Sequence, residues 1–380
     1  MKKNWLVIII SVVISIGVLA GCATPTTAPT TAPIVTEAPT IEPTVVQTTA
    51  PVTVTDALGR TVEFAELPQR IVLAGKATTM LIDAFYMFPE ALDKVVSYEN
   101  RSQSANSFIK AAFPKTESLV LLDKNAAAEQ IAPLTPDLVV LKTYMKDSLG
   151  DSLEAIGIPV IYLDLETPEQ FYADLRTIGQ VLGNPERAEE LVGLYQATDE
   201  SVKEIVAGIA DTEKPGVLLL QYSKDGDNIA FEVPPVEWLQ TILVENAGGI
   251  PVWKETTTDG GWTIVTLEQI AVWNPDLIFI VDYSGGAVEV VQSLMADTNW
   301  TSLDAIKNGQ VYAFPADYFS WDQPDPRWIL GELWLATKIH PAQFSSVDIN
   351  DEFTNFYKSY YGLDDTTRTE KILPLLSGDL

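Results

Sequence analysis

Residues 129–141 read EQIAPLTPDLVVL, and residues 268–280 read EQIAVWNPDLIFI. Seven of the thirteen positions are identical, 139 residues apart. A second echo follows each copy, SLEAI at 152–156 and SLDAI at 302–306. Two matched pairs in the same order signify one structural unit built twice. Each unit holds a helical stub, a Pro-Asp turn and a short apolar run suited to a buried strand. Two α/β units facing one another leave a cleft, and small ligands bind in clefts of that kind.

Outward from the repeat, strands and helices alternate. VTVTDALGRTVEF (52–64) reads as a hairpin turning near Ala57-Leu58-Gly59. Strands are expected at 70–75, 94–98, 137–141 and 159–163, then again at 214–222, 276–281 and 310–314. A helix over 79–88 stops before Pro89. Such alternation predicts an α/β fold of two Rossmann-like lobes with parallel sheets. Between them, Asn184 is a good N-cap and Pro185 a good first helical residue. Leu191, Leu194, Tyr195, Thr198, Val202, Ile205 and Val206 then recur at spacings of three and four. The spacing predicts one long, stiff helix joining the lobes, with the ligand cleft between them.

The N-terminus carries a different signal. Lys2 and Lys3 precede an apolar run from Leu6 to Leu19, which ends in Leu19-Ala20-Gly21-Cys22. The run is shorter than the roughly 20 residues of a membrane span and suits a signal peptide. Its end resembles the bacterial lipoprotein box, which implies that Cys22 is lipidated as the first residue of the mature chain. Cys22 is the only cysteine, so no disulfide is expected. The Thr/Pro-rich stretch that follows cannot bury a core and reads as a tether. The expected organisation is therefore 1–21 signal peptide, 22–51 lipidated Cys and tether, 52–183 first lobe, 184–211 linking helix, and 212–380 second lobe with a helical C-terminal extension.

Asp and Glu number 52 against 24 Lys and Arg, a net charge of −28. That balance argues against nucleic acid or anionic lipid as a partner. Within it, four basic residues fall just beyond strand ends: Lys76, Arg101, Lys142 and Lys224. Ligands of open α/β sheets sit beyond the carboxyl ends of strands, so these four predict a positive cleft for an anionic ligand. Tyr144, Tyr222, Tyr283, Tyr318 and Trp321 occupy the same kind of position. The tyrosines leave open direct binding of Fe(III) or haem. His340, the only histidine, has no second His beside it and is not expected to bind metal. No cofactor is expected.

The lipobox, the tether, the paired Pro-Asp-Leu motifs, the single linking helix and Pro326-Arg327 at a helix start together resemble one family. It comprises the substrate-binding proteins of ABC importers for iron chelates and vitamin B12, and the resemblance covers Val52 to about Ile339. It implies a monomer that captures a metal chelate and hands it to a permease dimer. It also implies that Glu129 and Glu268 dock onto the two permease subunits, although a first-turn Glu is favourable at a helix N-terminus in any case. Tyr98, Trp262 and Asp317 match cleft residues of the vitamin B12-binding member, and Arg327 belongs to the familial Pro-Arg. The chain departs from that member at Asp123 and Lys142, where charge replaces stacking aromatics. The expectation is therefore an anionic ferric chelate, with a corrinoid or haem as the alternative. The implied location is extracytoplasmic, lipid-anchored on the outer face of the cytoplasmic membrane or in the periplasm. No phosphate loop, nucleophile elbow or HExxH is present, so an enzyme is not expected. A glycan-active enzyme or a surface sensor is the rival class.

Overall fold

The computed structural model describes residues 51–100, 107–226, 228–256 and 260–380. The signal sequence, Cys22, the tether and Arg101 lie outside the described residues. Among the described residues no helix is long and apolar enough to cross a membrane.

The chain opens with the expected hairpin, β1 (Val52–Thr55) paired antiparallel to β2 (Thr61–Phe64). The first large sheet contains β3 (Ile71–Leu73), β4 (Val95–Glu99), β5 (Val120–Leu122), β6 (Leu138–Lys142) and β7 (Val160–Leu163). Its order is β5-β4-β3-β6-β7 and every pairing is parallel. Burial on both faces explains the unbroken apolar run of β6, as a parallel sheet requires.

The second sheet contains β8 (Gly216–Asp225), β9 (Asn228–Val233), β10 (Ile250–Pro251), β11 (Thr263–Val265), β12 (Leu277–Val281) and β13 (Val311–Ala313). Its order is β11-β9-β8-β12-β13, with β10 added alongside β8. The β8, β12 and β13 pairings are parallel, as expected from sequence, and the two-residue β10, not expected there, also runs parallel to β8. The antiparallel strands β9 and β11 were not legible, so this sheet is mixed. In β9 the residues Asn228, Ile229 and Ala230 show no clean alternation, and β11 has only three residues.

Helices pack on these sheets: α1 (Thr78–Phe85), α2 (Phe108–Ala112), α3 (Ala128–Ile131) and α4 (Pro168–Leu182) in the first half. The long helix is α5 (Pro185–Ala207), whose N-cap Asn184 accepts from the Arg187 amide at 3.0 Å. At 1.5 Å per residue it is roughly 35 Å long. It buries Leu191, Val192, Tyr195, Val202 and Val206. The helices that follow include α6 (Leu239–Asn246), α7 (Leu267–Trp273), α8 (Trp328–Ile339) and α9 (Ile349–Tyr361). Helix α9 buries Phe353, Phe356, Tyr357, Tyr360 and Tyr361. It reaches the first half of the chain: Arg187 donates to the carbonyls of Ser359 and Tyr360, and Tyr361 donates to that of Asp83.

The repeat has a structural reason. Thr135 and Asn274, each just before the Pro-Asp pair, both take left-handed backbone with φ of 46° and 41°. The turn lets the following Asp clamp the start of the neighbouring strand. Asp137 accepts from the amides of Gln69 and Arg70, both at 2.8 Å, at the entry to β3. Asp276 accepts from the Gly216 amide at 2.7 Å, where β8 begins. Carboxylate-to-amide bonds of this kind are the stronger, charge-assisted sort.

Candidate functional site

The carboxyl ends of the two sheets meet around a small cavity of about 40 Å³. Thr79 and Asp83 come from α1, Tyr98, Glu99 and Asn100 from the end of β4, and Ser107 and Phe108 from the start of α2. Phe319, beyond β13, closes it from the second sheet. Adjoining it through Phe319 is a second pocket of about 190 Å³ containing Asp282, Tyr283, Ser284, Asp317, Tyr318 and Gln323. A larger groove of about 750 Å³ lies elsewhere, among Met87, Phe113, Arg187 and Tyr361. It has more volume, but none of its lining residues follows the carboxyl end of a strand, where loops and helix starts supply converging polar groups.

The acids at the strand-end site are mostly engaged with the protein itself. Glu99 accepts from the Gly75 and Asn125 amides, each at 2.7 Å. Asp282 accepts from the Ser284 amide and hydroxyl and from the Gly286 amide. Asp322, pushed up by burial, is held by Tyr283 at 2.7 Å and Gln240 at 3.3 Å. Hydroxyls and amides such as Ser107, Ser320, Asn100 and Gln323 therefore make up much of the remaining polar lining.

Arg327 organises the junction. Its Nη1 pairs with Asp83 at 2.7 Å and Asp325 at 2.6 Å, and its Nε with Asp317 at 2.7 Å. The Tyr357 hydroxyl lies 2.9 Å from the same Nε and donates to Asp317 at 2.6 Å. The guanidinium also lies over the Phe108 ring, 4.5 Å from its centroid. Burial opposes its charge, but the carboxylates outweigh burial and hold its pKa well above the ordinary value.

The structure brings some of the sequence candidates together and disperses others. Tyr98, Asp317, Tyr318 and Arg327 lie at the junction, with Tyr318 packed on Phe108 at 5.6 Å. Trp262 packs edge-on against Tyr283 at 6.2 Å and against Trp238 at 5.8 Å, so Trp238 joins this aromatic group. Trp321 is fully buried, donates to Asp317 at 3.2 Å and stacks on Phe353. Lys76 and Tyr144 are exposed together on the first sheet's rim, where the Tyr144 hydroxyl donates to the Lys76 carbonyl at 3.3 Å.

The expected ring of strand-end cations is not assembled among the described residues. Lys142 is fully buried and pairs with Glu166 at 2.6 Å, while also donating to the Asp164 carbonyl. Strand β6 is buried on both faces, so its last side chain turns into the protein and takes up these partners. Lys224 is exposed near the end of the β8–β9 hairpin, because β8 runs past the strand ends into an antiparallel arm. Tyr222 shares that arm and packs on Phe231 at 5.8 Å, outside the junction pockets. His340 is buried with Nε2 3.1 Å from the Gly248 carbonyl, a structural contact.

Asp83, Ser107, Phe108, Phe319 and Asp322 were missed by sequence reasoning. Asp83 had a legible signal, a lone acid in the apolar helix TTMLIDAF. Phe108 and Phe319 had none, since nothing local distinguishes them from core aromatics.

Glu129 and Glu268 are both exposed, in the first turns of α3 and α7. The helix starts match closely. Gln130 accepts from the Ala127 amide at 2.9 Å, and Gln269 from the Thr266 amide at 2.8 Å. Only Thr266 can return the bond, accepting from the Gln269 amide at 3.3 Å. The Glu268 backbone amide and the Thr266 hydroxyl hold its carboxyl below the usual range.

A family model described as "Periplasmic binding protein" matches residues 91–318. The molybdate-binding protein MolA of Haemophilus influenzae is 23% identical over 344 residues, covering 83% of this chain and 91% of that protein. An uncharacterized ABC transporter substrate-binding lipoprotein of Bacillus subtilis, YvrC, is 26% identical and covers 77% and 87%. The iron(3+)-hydroxamate-binding protein FhuD of the same organism is 22% identical and covers 73% and 82%. Among solved structures, a periplasmic solute binding protein from Veillonella parvula superposes with a TM-score of 0.68 at 25% identity, covering 85% of this chain and 97% of that one. The family works in transport and not in catalysis. The chain belongs to the periplasmic binding protein family and is an extracytoplasmic substrate-binding protein of an ABC transporter.

Proposed function

We propose that this chain captures an anionic metal species between its two lobes, taken as 52–183 and 212–380 with 184–211 between, and delivers it to a permease dimer. The observation that carries the reading is the junction cavity. Residues beyond the carboxyl ends of strands in both sheets line it, from Tyr98 and Asn100 on one side to Phe319 on the other. Tyr98, Ser107, Tyr283, Ser284 and Tyr318 are the proposed ligand contacts, with Trp262 beside Tyr283. Lys76 and Arg101 are the proposed sources of positive charge.

The first ligand reading is a ferric chelate of siderophore or citrate type, supported by the likeness to an iron(3+)-hydroxamate-binding protein. A compact oxyanion such as molybdate is the second reading. It is favoured by the narrowness of the cavities, about 40 and 190 Å³, against several hundred Å³ for sites that enclose drug-sized ligands. Hydroxyl and amide donors suit an ion of that size. The likeness to MolA supports it as well. Calorimetric titration with a ferric hydroxamate, ferric citrate, molybdate and cobalamin separates these readings. Tight one-to-one binding of one anion supports the proposal, and selective binding of cobalamin overturns the charge argument.

Delivery is proposed to use Glu129 and Glu268, the two exposed acids at matching helix starts. Lipidation of Cys22, with 22–51 as tether, is the proposed means of holding the protein at the membrane.

A further inference from the structure

Asp83 and Asp325 come from opposite sides of the junction and meet on one nitrogen. Arg327 Nη1 lies 2.7 Å from Asp83 Oδ2 and 2.6 Å from Asp325 Oδ1. Asp317 takes the Nε of the same side chain. Three carboxylates thus surround a single cation, and the side chains are almost wholly inaccessible. The outer oxygens, Asp83 Oδ1 and Asp325 Oδ2, are buried and meet no donor among the described residues. Both carboxyls pair with the same nitrogen, which keeps their near oxygens close together. Buried negative charge in such excess is costly unless it is neutralised. Two carboxyls held this close resolve the conflict by keeping one proton between them.

We propose that Asp83 and Asp325 share one proton across the junction, and that this proton and Arg327 together latch the two lobes shut beside the cavity. The other charged or titratable groups around the pair are Asp317, the cavity-lining Tyr98, Glu99 and Lys110, Tyr195 of α5, and Tyr357 and Tyr361 of α9. Burial pushes all four phenols up, so they stay neutral and add no countercharge. Burial first, and the Asp325 charge second, push the Asp83 carboxyl well above its ordinary range, while Arg327 pulls the other way. A raised folded-state value means that the latch is fully made at low pH and is lost as pH rises through that value. Asp83 also lines the cavity, so release of the latch and access to the site are one motion. The inference rests on the reading that ligand enters between the lobes.

The test is a spin-label distance measurement on the full chain without ligand, from pH 4 to 9. The labels are carried by V120C and I264C, two exposed edge-strand positions on opposite sheets, in a C22S background. The expected result is one short distance at low pH, with a longer population growing at higher pH. Asp83→Asn keeps the shape and offers an amide donor to Asp325 without titrating, so it should hold the short distance throughout. Asp325→Asn should behave likewise, and stands in if the first variant does not fold. A wild-type distance that ignores pH, or a transition that survives in both variants, overturns the latch. Since no ligand is present, that failure leaves the capture reading to be judged by titration alone.

Discussion

The Nζ of Lys142 lies 2.6 Å from Oε1 of Glu166, and the lysine side chain is fully buried while the glutamate stays half-exposed. The lysine also donates to the Asp164 carbonyl. It therefore fastens the loop after β7 to the end of β6. Lys142→Ala removes these bonds and leaves a cavity, at a cost of about 2–4 kcal/mol. Chemical denaturation measures that loss. Ligand affinity should stay within about threefold of wild type; a ligand-specific loss without destabilisation would return Lys142 to the cleft.

Asp174 holds the same loop from the other side. One of its oxygens accepts from the amides of Asp164 and Leu165, both at 2.7 Å. Burial pushes its carboxyl up from 3.8 to about 7, against the pull of those amides. The folded state therefore keeps a proton that the unfolded chain has lost. Its contribution is complete below the ordinary carboxylate range and disappears as pH rises through about 7. Denaturation at pH 5 and pH 8 should differ by about 2–3 kcal/mol from this group, and Asp174→Asn should flatten the difference.

Phe108 packs on Tyr318, Tyr357 and Tyr361 and lies under the Arg327 guanidinium. It joins α2 of the first half to α9 and the second half. Phe108→Ala should cost about 3–5 kcal/mol. It should also raise amide exchange in α9, read by mass spectrometry, before it affects β6 or β12. Uniform exchange across the chain would contradict a local clamp.

Much of this architecture was legible because the repeat records a backbone requirement. The left-handed Thr135 and Asn274 and the clamping Asp137 and Asp276 impose the same turn twice, so the sequence had to repeat. The long helix was equally plain from Asn184, Pro185 and its apolar face. The site was less legible, because it is built across the junction. Nothing near Asp83 in sequence points to Arg327, 244 residues away. Strand-end position located Tyr283 and Tyr318, and the family resemblance located Tyr98 and Asp317, yet neither could tell that Lys142 turns inward. Nor could either tell that β8 continues into an arm carrying Tyr222 and Lys224 away.

Glu129→Ala combined with Glu268→Ala separates capture from delivery. Both acids are exposed and take no part in the ion pairs of the junction, so folding and ligand affinity should be unchanged. Uptake by whole cells should fall about tenfold or more, as expected when charged anchors are removed from a docking surface. Unimpaired uptake would assign both residues to helix starts alone.

The central claim is that ligand is held in the junction between the two sheets. The direct test is calorimetry of residues 52–380 and their Ser107→Trp variant, which fills the 40 Å³ cavity from its rim. The ligands are ferric citrate, a ferric hydroxamate and molybdate. The account predicts one-to-one binding of one of these anions to the wild-type protein. It also predicts a loss of about a hundredfold in the variant, with its melting temperature kept. Binding that ignores the tryptophan, or no binding of any anion by the wild-type protein, would contradict it.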